Sequence, residues 1–267
     1  MNYKKIKLAV FDWAGTTVDY GCMAPYVVFD ETFKAKNIYL TKAEILEPMG
    51  MEKRDHIRTL LSTEKASAQW YKEYGRIWND DDINDMYEFF EARLAEVAAD
   101  FSEPVDGVVD TIKELRKNGI MIGSTTGYTG AMMENVIPKA KALGYEADYV
   151  VTPEIVGSGR PAPFMIYENM RKFNVYPPEN VIKIGDTVMD ILEGKNAGVW
   201  SVGVLDGSSE VALSKEEMSA LSAEEIDIYR KNAINKYKKA GADYIIDSIK
   251  DIPELIKKIN ERMQEEK

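Results

Sequence analysis

The stretch Leu8-Ala9-Val10-Phe11-Asp12-Trp13-Ala14-Gly15-Thr16-Thr17-Val18-Asp19 is the one around which the chain is organised. Four apolar residues of strand length end in a carboxylate, and a loop of small and hydroxylated residues follows. In an open α/β sheet, ligands bind beyond the carboxyl ends of the strands, so Asp12 stands where chemistry is usually done. An Asp after a strand also serves simply to open a turn. What the other segments place beside Asp12 therefore decides its role.

Beyond this stretch the apolar spacing is helical as far as residue 100. Tyr26, Phe29 and Phe33 mark one face, and Met86, Phe90, Leu94 and Val97 another. Residues 21–24 read as a linker, with Pro25 placed where the first position of a helix tolerates it. Trp70, Tyr71, Tyr74, Trp78, Tyr87, Phe89 and Phe90 suit a small separate core better than a ligand cage. A second linker, Ser102-Glu103-Pro104, opens an alternating pattern. Strand-like runs at 120–124, 149–151, 181–184, 200–204 and 244–246 are separated by helix-like segments at 105–118, 132–143, 164–173 and 189–197. Ser222 and Glu225 have capping-box spacing ahead of a helix that runs to Gly241, and residues 252–263 form a last helix. The order predicts an α/β, doubly wound parallel sheet, Rossmann-like. Residues 1–20 and 101–267 make its core domain, and residues 21–100 an inserted α-helical cap. Such an insertion can close over a strand-end site.

At 267 residues, with 45% hydrophobic and 30% charged residues, the chain can bury a sizeable core and is not expected to be disordered. A net charge of -11 argues against nucleic acid as a partner. An anionic small molecule then requires positive charge concentrated locally, by a metal ion or a few placed Lys and Arg. The single cysteine, Cys22, excludes an intrachain disulfide and a cysteine metal cluster, and fits a reducing compartment. Lys4, Lys5 and Lys7 precede an apolar run too short for a secretory signal. No segment approaches the roughly 18 apolar residues of a membrane span. The expectation is a cytoplasmic protein with no membrane partner.

Four segments fall at the ends of predicted strands: residues 12–17, Ser124-Thr125-Thr126-Gly127-Tyr128, Gly157-Ser158-Gly159-Arg160-Pro161 and Gly185-Asp186-Thr187-Val188-Met189-Asp190. A parallel sheet brings all such ends to one edge. Asp12 and Asp186 are hard oxygen ligands of the kind Mg2+ prefers. Thr126 supplies a hydroxyl for an anionic oxygen and Arg160 a fixed positive fork. Singly, Asp186 and Asp190 also read as helix caps, and Arg160 as a surface residue. The glycines at 123, 127 and 130 lack dinucleotide-loop spacing. Together the four segments read as a phosphoryl site.

In that order they resemble the haloacid dehalogenase superfamily, which shares a strand-end nucleophilic Asp, a strand-end Ser/Thr, a Lys/Arg and a G-D-x-x-x-D segment. Its phosphatases usually carry an acidic residue two positions after the nucleophile, to protonate the leaving oxygen; here that position is Ala14. The insertion contains Glu47-Pro48-Met49-Gly50-Met51-Glu52-Lys53-Arg54-Asp55-His56. By itself this reads as a surface lysine and a capping histidine, three residues apart on one helix face. A helix N-terminus in a desolvated cleft would instead lower the lysine pKa and free an amine to attack an aldehyde.

D-W-A-G-T-T-V-D-Y-G from Asp12 and P-M-G-x-x-K-x-D-H from Pro48 are similar to the phosphonoacetaldehyde hydrolases of that superfamily, as are Gly-Ser-Thr-Thr-Gly-Tyr from Gly123 and Gly-Arg-Pro from Gly159. The resemblance implies carbon–phosphorus bond hydrolysis with Lys53 as Schiff-base lysine and Asp12 as nucleophile. It also implies Mg2+ held by Asp12, the carbonyl of Ala14 and Asp186, with Asp190 supporting the metal site. Thr126 and Arg160 would bind the phosphoryl group, and Cys22, Met49, His56 and Tyr128 would line the aldehyde side. Degradation of an aminoalkylphosphonate and a homodimer formed through the cap are implied as well. A sugar-phosphate phosphatase or mutase of the superfamily, and an inactive metabolite-binding module, remain alternatives at this point.

Overall fold

The computed structural model describes residues 5–49 and 51–265. Lys4 of the basic N-terminal group and Gly50 of the Pro-Met-Gly turn lie outside them. In chain order, β1 (Leu8–Phe11) is followed by α1 (Met23–Lys34), α2 (Lys42–Leu46), α3 (Lys53–Leu61), α4 (Glu64–Tyr74) and α5 (Asp80–Val97). Then come α6 (Val108–Lys117), β2 (Met121–Thr125), α7 (Gly130–Ala142), β3 (Tyr149–Val151), α8 (Pro153–Val156) and α9 (Phe164–Phe173). The chain ends in β4 (Val181–Gly185), α10 (Val188–Ala197), β5 (Trp200–Val204), α11 (Lys215–Ala220), α12 (Ala223–Ala240), β6 (Tyr244–Ile246) and α13 (Ile252–Glu265). The six strands form one sheet in the order β3-β2-β1-β4-β5-β6, and every pairing is parallel.

The central strand is β1, buried along its whole length. Because side chains alternate across a strand, Ala9 and Phe11 join one apolar cluster while Leu8 and Val10 join another on the opposite face. The connections leave β1 in both directions, to β2 on one side and β4 on the other. Asp12 therefore emerges at the switch point of the sheet, where a crevice opens. Among the described residues no helix is long and apolar enough to cross a membrane.

The helices α1 to α5 are interposed between β1 and β2. Phe29, Phe33, Trp70 and Phe90 are fully buried, each contributing roughly 1.5–3 kcal/mol through apolar area removed from water. Phe29 packs on Phe90 at 4.3 Å between ring centres and on the His56 ring at 3.9 Å. These four aromatics form a core, but not a separate one: it is continuous with the layer that includes Ala9 and Phe11, while Tyr71, Tyr74 and Phe89, expected in it from the aromatic density, are exposed.

Entry into α1 depends on Asp19. The chain turns through left-handed conformations at Asp19 (φ 55°), Gly21 (φ 81°) and Cys22 (φ 53°). Pro25 lies in the first turn of α1, although Met23, not Pro25, is its first residue. The orphan N–H groups of Met23 and Ala24 donate to the Asp19 carboxylate at 2.8 and 3.0 Å. Burial raises the pKa of this carboxyl to about 7, against the lowering effect of those two hydrogen bonds. A folded-state pKa above the ordinary 3.8 means that the native protein binds this proton more tightly than the unfolded chain does. Its contribution is thus full below the unfolded value and is lost as pH rises through about 7. Between about pH 5 and about pH 8, the urea midpoint of the wild type should fall relative to that of Asp19→Asn, whose side chain does not titrate. A constant gap contradicts this.

Candidate active site

Asp12, Asp186 and Asp190 converge at the carboxyl edge of β1 and β4, all buried, with one oxygen of each within 4.8 Å of the others. The loop after β1 makes this approach possible. Gly15 adopts φ 83°, and a Cβ there would stand 2.4 Å from Asp186 Oδ2. Thr16 donates to Asp186 Oδ1 at 2.9 Å, and Ser209 donates to Oδ2 through its N–H at 2.9 Å and its hydroxyl at 2.6 Å. Ala14, partly buried, lies in the same loop between Asp12 and Gly15.

Asp186 does not cap α10. Thr187 does, in a capping box whose reciprocal partner is Asp190. Burial, and then Asp12 and Asp190, push the Asp186 carboxyl well above the ordinary range; burial likewise raises Asp12. Burial would raise Asp190 too, but Arg160 and Lys183 bring it down to about 2. Crowded, desolvated carboxylates with hard oxygen donors suit a divalent cation, whose charge would relieve their repulsion.

Arg160 reaches this cluster from a different place than the sequence suggests. Its loop does not end a strand: β3 stops at Val151, and the short helix α8 intervenes. A Pro at the first position of that helix and a left-handed Gly157 after it start and stop the turn, a local signal too short to register as a helical period. Nη2 of Arg160 donates to Asp12 Oδ1 at 2.5 Å and to Thr125 at 2.9 Å; Nη1 lies 3.0 Å from Asp190 Oδ1, and Nε donates to Glu193 Oε2 at 3.1 Å. The Thr126 hydroxyl is buried and accepts from the Tyr128 N–H at 3.0 Å.

Lys183, Glu193 and Ser209 lie outside the residues singled out above, and Thr16 and Thr125 belong to the strand-end segments without a role of their own there. Lys183 was visible as a charge inside the apolar run Val181-Ile182-Lys183-Ile184, and Glu193 as a second carboxylate one helical turn after Asp190.

On the insertion side, Lys53 is the first residue of α3, whose N-terminus is capped by Glu52 through a 3.1 Å bond from the Asp55 N–H. The Lys53 ammonium lies 5.6 Å from the centre of the Phe29 ring. Desolvation lowers its pKa, opposed by Cys22, Glu52, Asp12 and Asp186, so this side chain feels the carboxylates at the sheet edge. His56 is fully buried, its Nε2 2.8 Å from the Ile45 carbonyl oxygen. Burial and then Lys53 hold it to about 3, which makes it a neutral ring behind Phe29. Cys22 and Tyr128 are buried within the electrostatic reach of both Asp12 and Asp186, and Met49 is a half-buried residue packed on the apolar core.

Residues 6–198 match the haloacid dehalogenase-like hydrolase family, and the chain belongs to it. A phosphonoacetaldehyde hydrolase of Parabacteroides distasonis is 46% identical over 98% of this chain and 99% of its own length. A bifunctional phosphonoacetaldehyde hydrolase/aminoethylphosphonate transaminase of Clostridioides difficile is 44% identical over 96% of this chain, which spans 40% of that protein. The crystal structure of a phosphonoacetaldehyde hydrolase-like protein from Oleispira antarctica superposes with a TM-score of 0.91 at 35% identity, covering 99% of this chain and 96% of that one. Within the superfamily, the chain is a member of the phosphonoacetaldehyde hydrolase family.

The Gly15 contact provides a test of the carboxylate cluster. Gly15→Ala should displace Asp186 and lower turnover by roughly 100-fold, as misplacement by about 1 Å does, with far-ultraviolet circular dichroism unchanged. Turnover within twofold of the wild type, measured by phosphate release, would contradict the close approach.

Proposed function

We propose that this chain hydrolyses phosphonoacetaldehyde to acetaldehyde and phosphate through a Lys53 Schiff base and an Asp12 aspartyl-phosphate. The observation that carries the reading is the Lys53 ammonium, set by the first residue of α3 at 5.6 Å from the Phe29 ring centre, with burial lowering its pKa and Asp12 and Asp186 among the charges that act on it. Ala14 supports it, because no carboxylate stands there to protonate the alkoxide that an ordinary phosphate ester would release.

A carbon–phosphorus bond cannot simply expel a carbanion, so the reaction needs an electron sink. The neutral Lys53 amine adds to the aldehyde and, with uptake of one proton that is returned when the imine is later hydrolysed, water is lost, leaving a protonated imine. Asp12 then attacks phosphorus; the carbon–phosphorus electron pair passes into the imine and yields an enamine on Lys53. Protonation at carbon and addition of water release acetaldehyde and the free amine. A second water cleaves the aspartyl-phosphate, so the net consumption is one water. Mg2+ held by Asp12, the Ala14 carbonyl and Asp186 would supply fixed positive charge for the phosphoryl oxygens. Arg160 and Thr126 orient those oxygens, and Asp190 braces the metal-binding carboxylates from behind. Cys22, Met49 and Tyr128 enclose the aldehyde side. His56, neutral, adds no positive charge next to an amine that must lose its proton.

In this reading residues 21–100 form a cap that delivers Lys53 to a core made of residues 1–20 and 101–267, and the enzyme acts in the cytoplasm as a cap-to-cap homodimer.

Borohydride added with substrate should trap a covalent adduct at Lys53, and Lys53→Arg should abolish both the adduct and turnover while the fold persists. Equal trapping in the variant overturns the imine. Because desolvation lowers the Lys53 pKa, the reactive neutral amine accumulates below the ordinary lysine value of 10.5. Trapping at fixed substrate should therefore rise with pH and level off below 10.5; a rise that continues through 10.5 opposes it.

A further inference from the structure

Lys183 sits in the middle of β4, directly beside Val10 of β1, and is fully buried. A lysine there is costly to desolvate, and an apolar residue would serve the sheet better if packing were the sole requirement. Its ammonium donates to Thr125 Oγ1 at 2.7 Å and lies 2.9 Å from Asp190 Oδ1 and 3.2 Å from Glu193 Oε2. Gly194 makes room for it: a Cβ there would come within 2.8 Å of Ser201 Oγ and 3.2 Å of Lys183 Cβ.

The contacts converge on the Thr125 hydroxyl. It donates to Glu193 Oε2 at 3.1 Å and accepts from Lys183 Nζ and, at 2.9 Å, from Arg160 Nη2. One donated and two accepted bonds exhaust a hydroxyl. Glu193 is used unevenly. Its Oε2 faces Thr125, Lys183 and Arg160 Nε, whereas its Oε1 is buried with no hydrogen-bond partner among the described residues. The geometric effect of these contacts is specific: with Nε on Glu193 and Nη1 near Asp190, the remaining Arg160 nitrogen, Nη2, is directed at Asp12.

We propose that Lys183, Thr125 and Glu193 are positioning residues that hold the Arg160 guanidinium against Asp12 while the charge of that carboxylate passes into the bond to phosphorus. The inference rests on the aspartyl-phosphate reading above. Glu193 and Asp190 anchor Nε and Nη1 so that Nη2 faces Asp12, and Lys183 balances the charge of these two carboxylates. Without Lys183, the two carboxylates face Arg160 alone and pull it off the nucleophile.

Steady-state kinetics of Lys183→Met, Glu193→Gln and the double variant, with thermal unfolding run on each, test the proposal. The loss in kcat should exceed any rise in KM, which follows from the contact of Arg160 with the phosphoryl oxygens: kcat should fall about 100-fold in Lys183→Met and about tenfold in Glu193→Gln, and the charge-balanced double variant should be no worse than Glu193→Gln. Should Lys183→Met not fold, Glu193→Gln carries the test alone. Borohydride trapping at Lys53 should persist in Glu193→Gln, because α3 supplies that amine; an untrapped wild type defeats the imine while leaving the kcat comparison in force. Wild-type kcat in Glu193→Gln, kcat losses that merely follow melting temperature, or losses that multiply in the double variant overturn the positioning role.

Discussion

The ion pair between Arg160 and Asp12 joins a loop that follows α8 to the end of the central strand, deep in the crevice where the sheet changes direction. Much of the surrounding structure is arranged to make that pair tolerable. Desolvated charges are stable only when matched and hydrogen-bonded, and here Asp190, Glu193, Lys183 and Thr125 supply the matching contacts. The cost of burial is visible in the raised pKa values of Asp12 and Asp186, which face one another with less cationic support than Asp190 receives. A cation between them is the natural complement of that imbalance.

The helical insertion contributes differently. Its core is aromatic and continuous with one face of the sheet, so the packing that stabilises it also ties α3, through Ile57, Leu60 and Leu61, to the cluster that includes Ala9 and Phe11. Phe29 links the two requirements, packing on Phe90 within the insertion while its ring faces the Lys53 ammonium and the neutral His56. The apolar setting that lowers the Lys53 pKa is thus the same packing that folds the insertion. Asp19 ties this unit to β1, capping α1 from a left-handed turn only a few residues beyond the Asp12 loop.

Several elements were legible directly. The strands 149–151, 200–204 and 244–246 and the helix Phe164–Phe173 have the limits that their apolar runs and flanking breakers indicate, because both signals are local. Asp12, Asp186 and Asp190 were recognisable as strand-end or helix-start carboxylates, and the structure brings them together. The route of Arg160 was not legible, because α8 is a single turn with no apolar face to announce it. Lys183 and Glu193 were passed over for a related reason: a charge in a strand or on a helix declares nothing about its partners until the strands are paired.

Read alone, the chain specifies a parallel sheet with acidic strand ends, an aromatic helical insertion after the first strand, and an alanine where a leaving-group acid would stand. The sheet and the insertion follow from hydrophobic period and turn chemistry, which act over a few neighbouring positions, and the meaning of the alanine comes from the resemblance to the superfamily. Which cation faces which carboxylate belongs to the tertiary structure. Arg160 meets Asp12, Lys183 meets Glu193, and Ser209 meets Asp186 across gaps of sequence that only the order β3-β2-β1-β4-β5-β6 closes. Charge pairing acts through space, and the fold sets the distances.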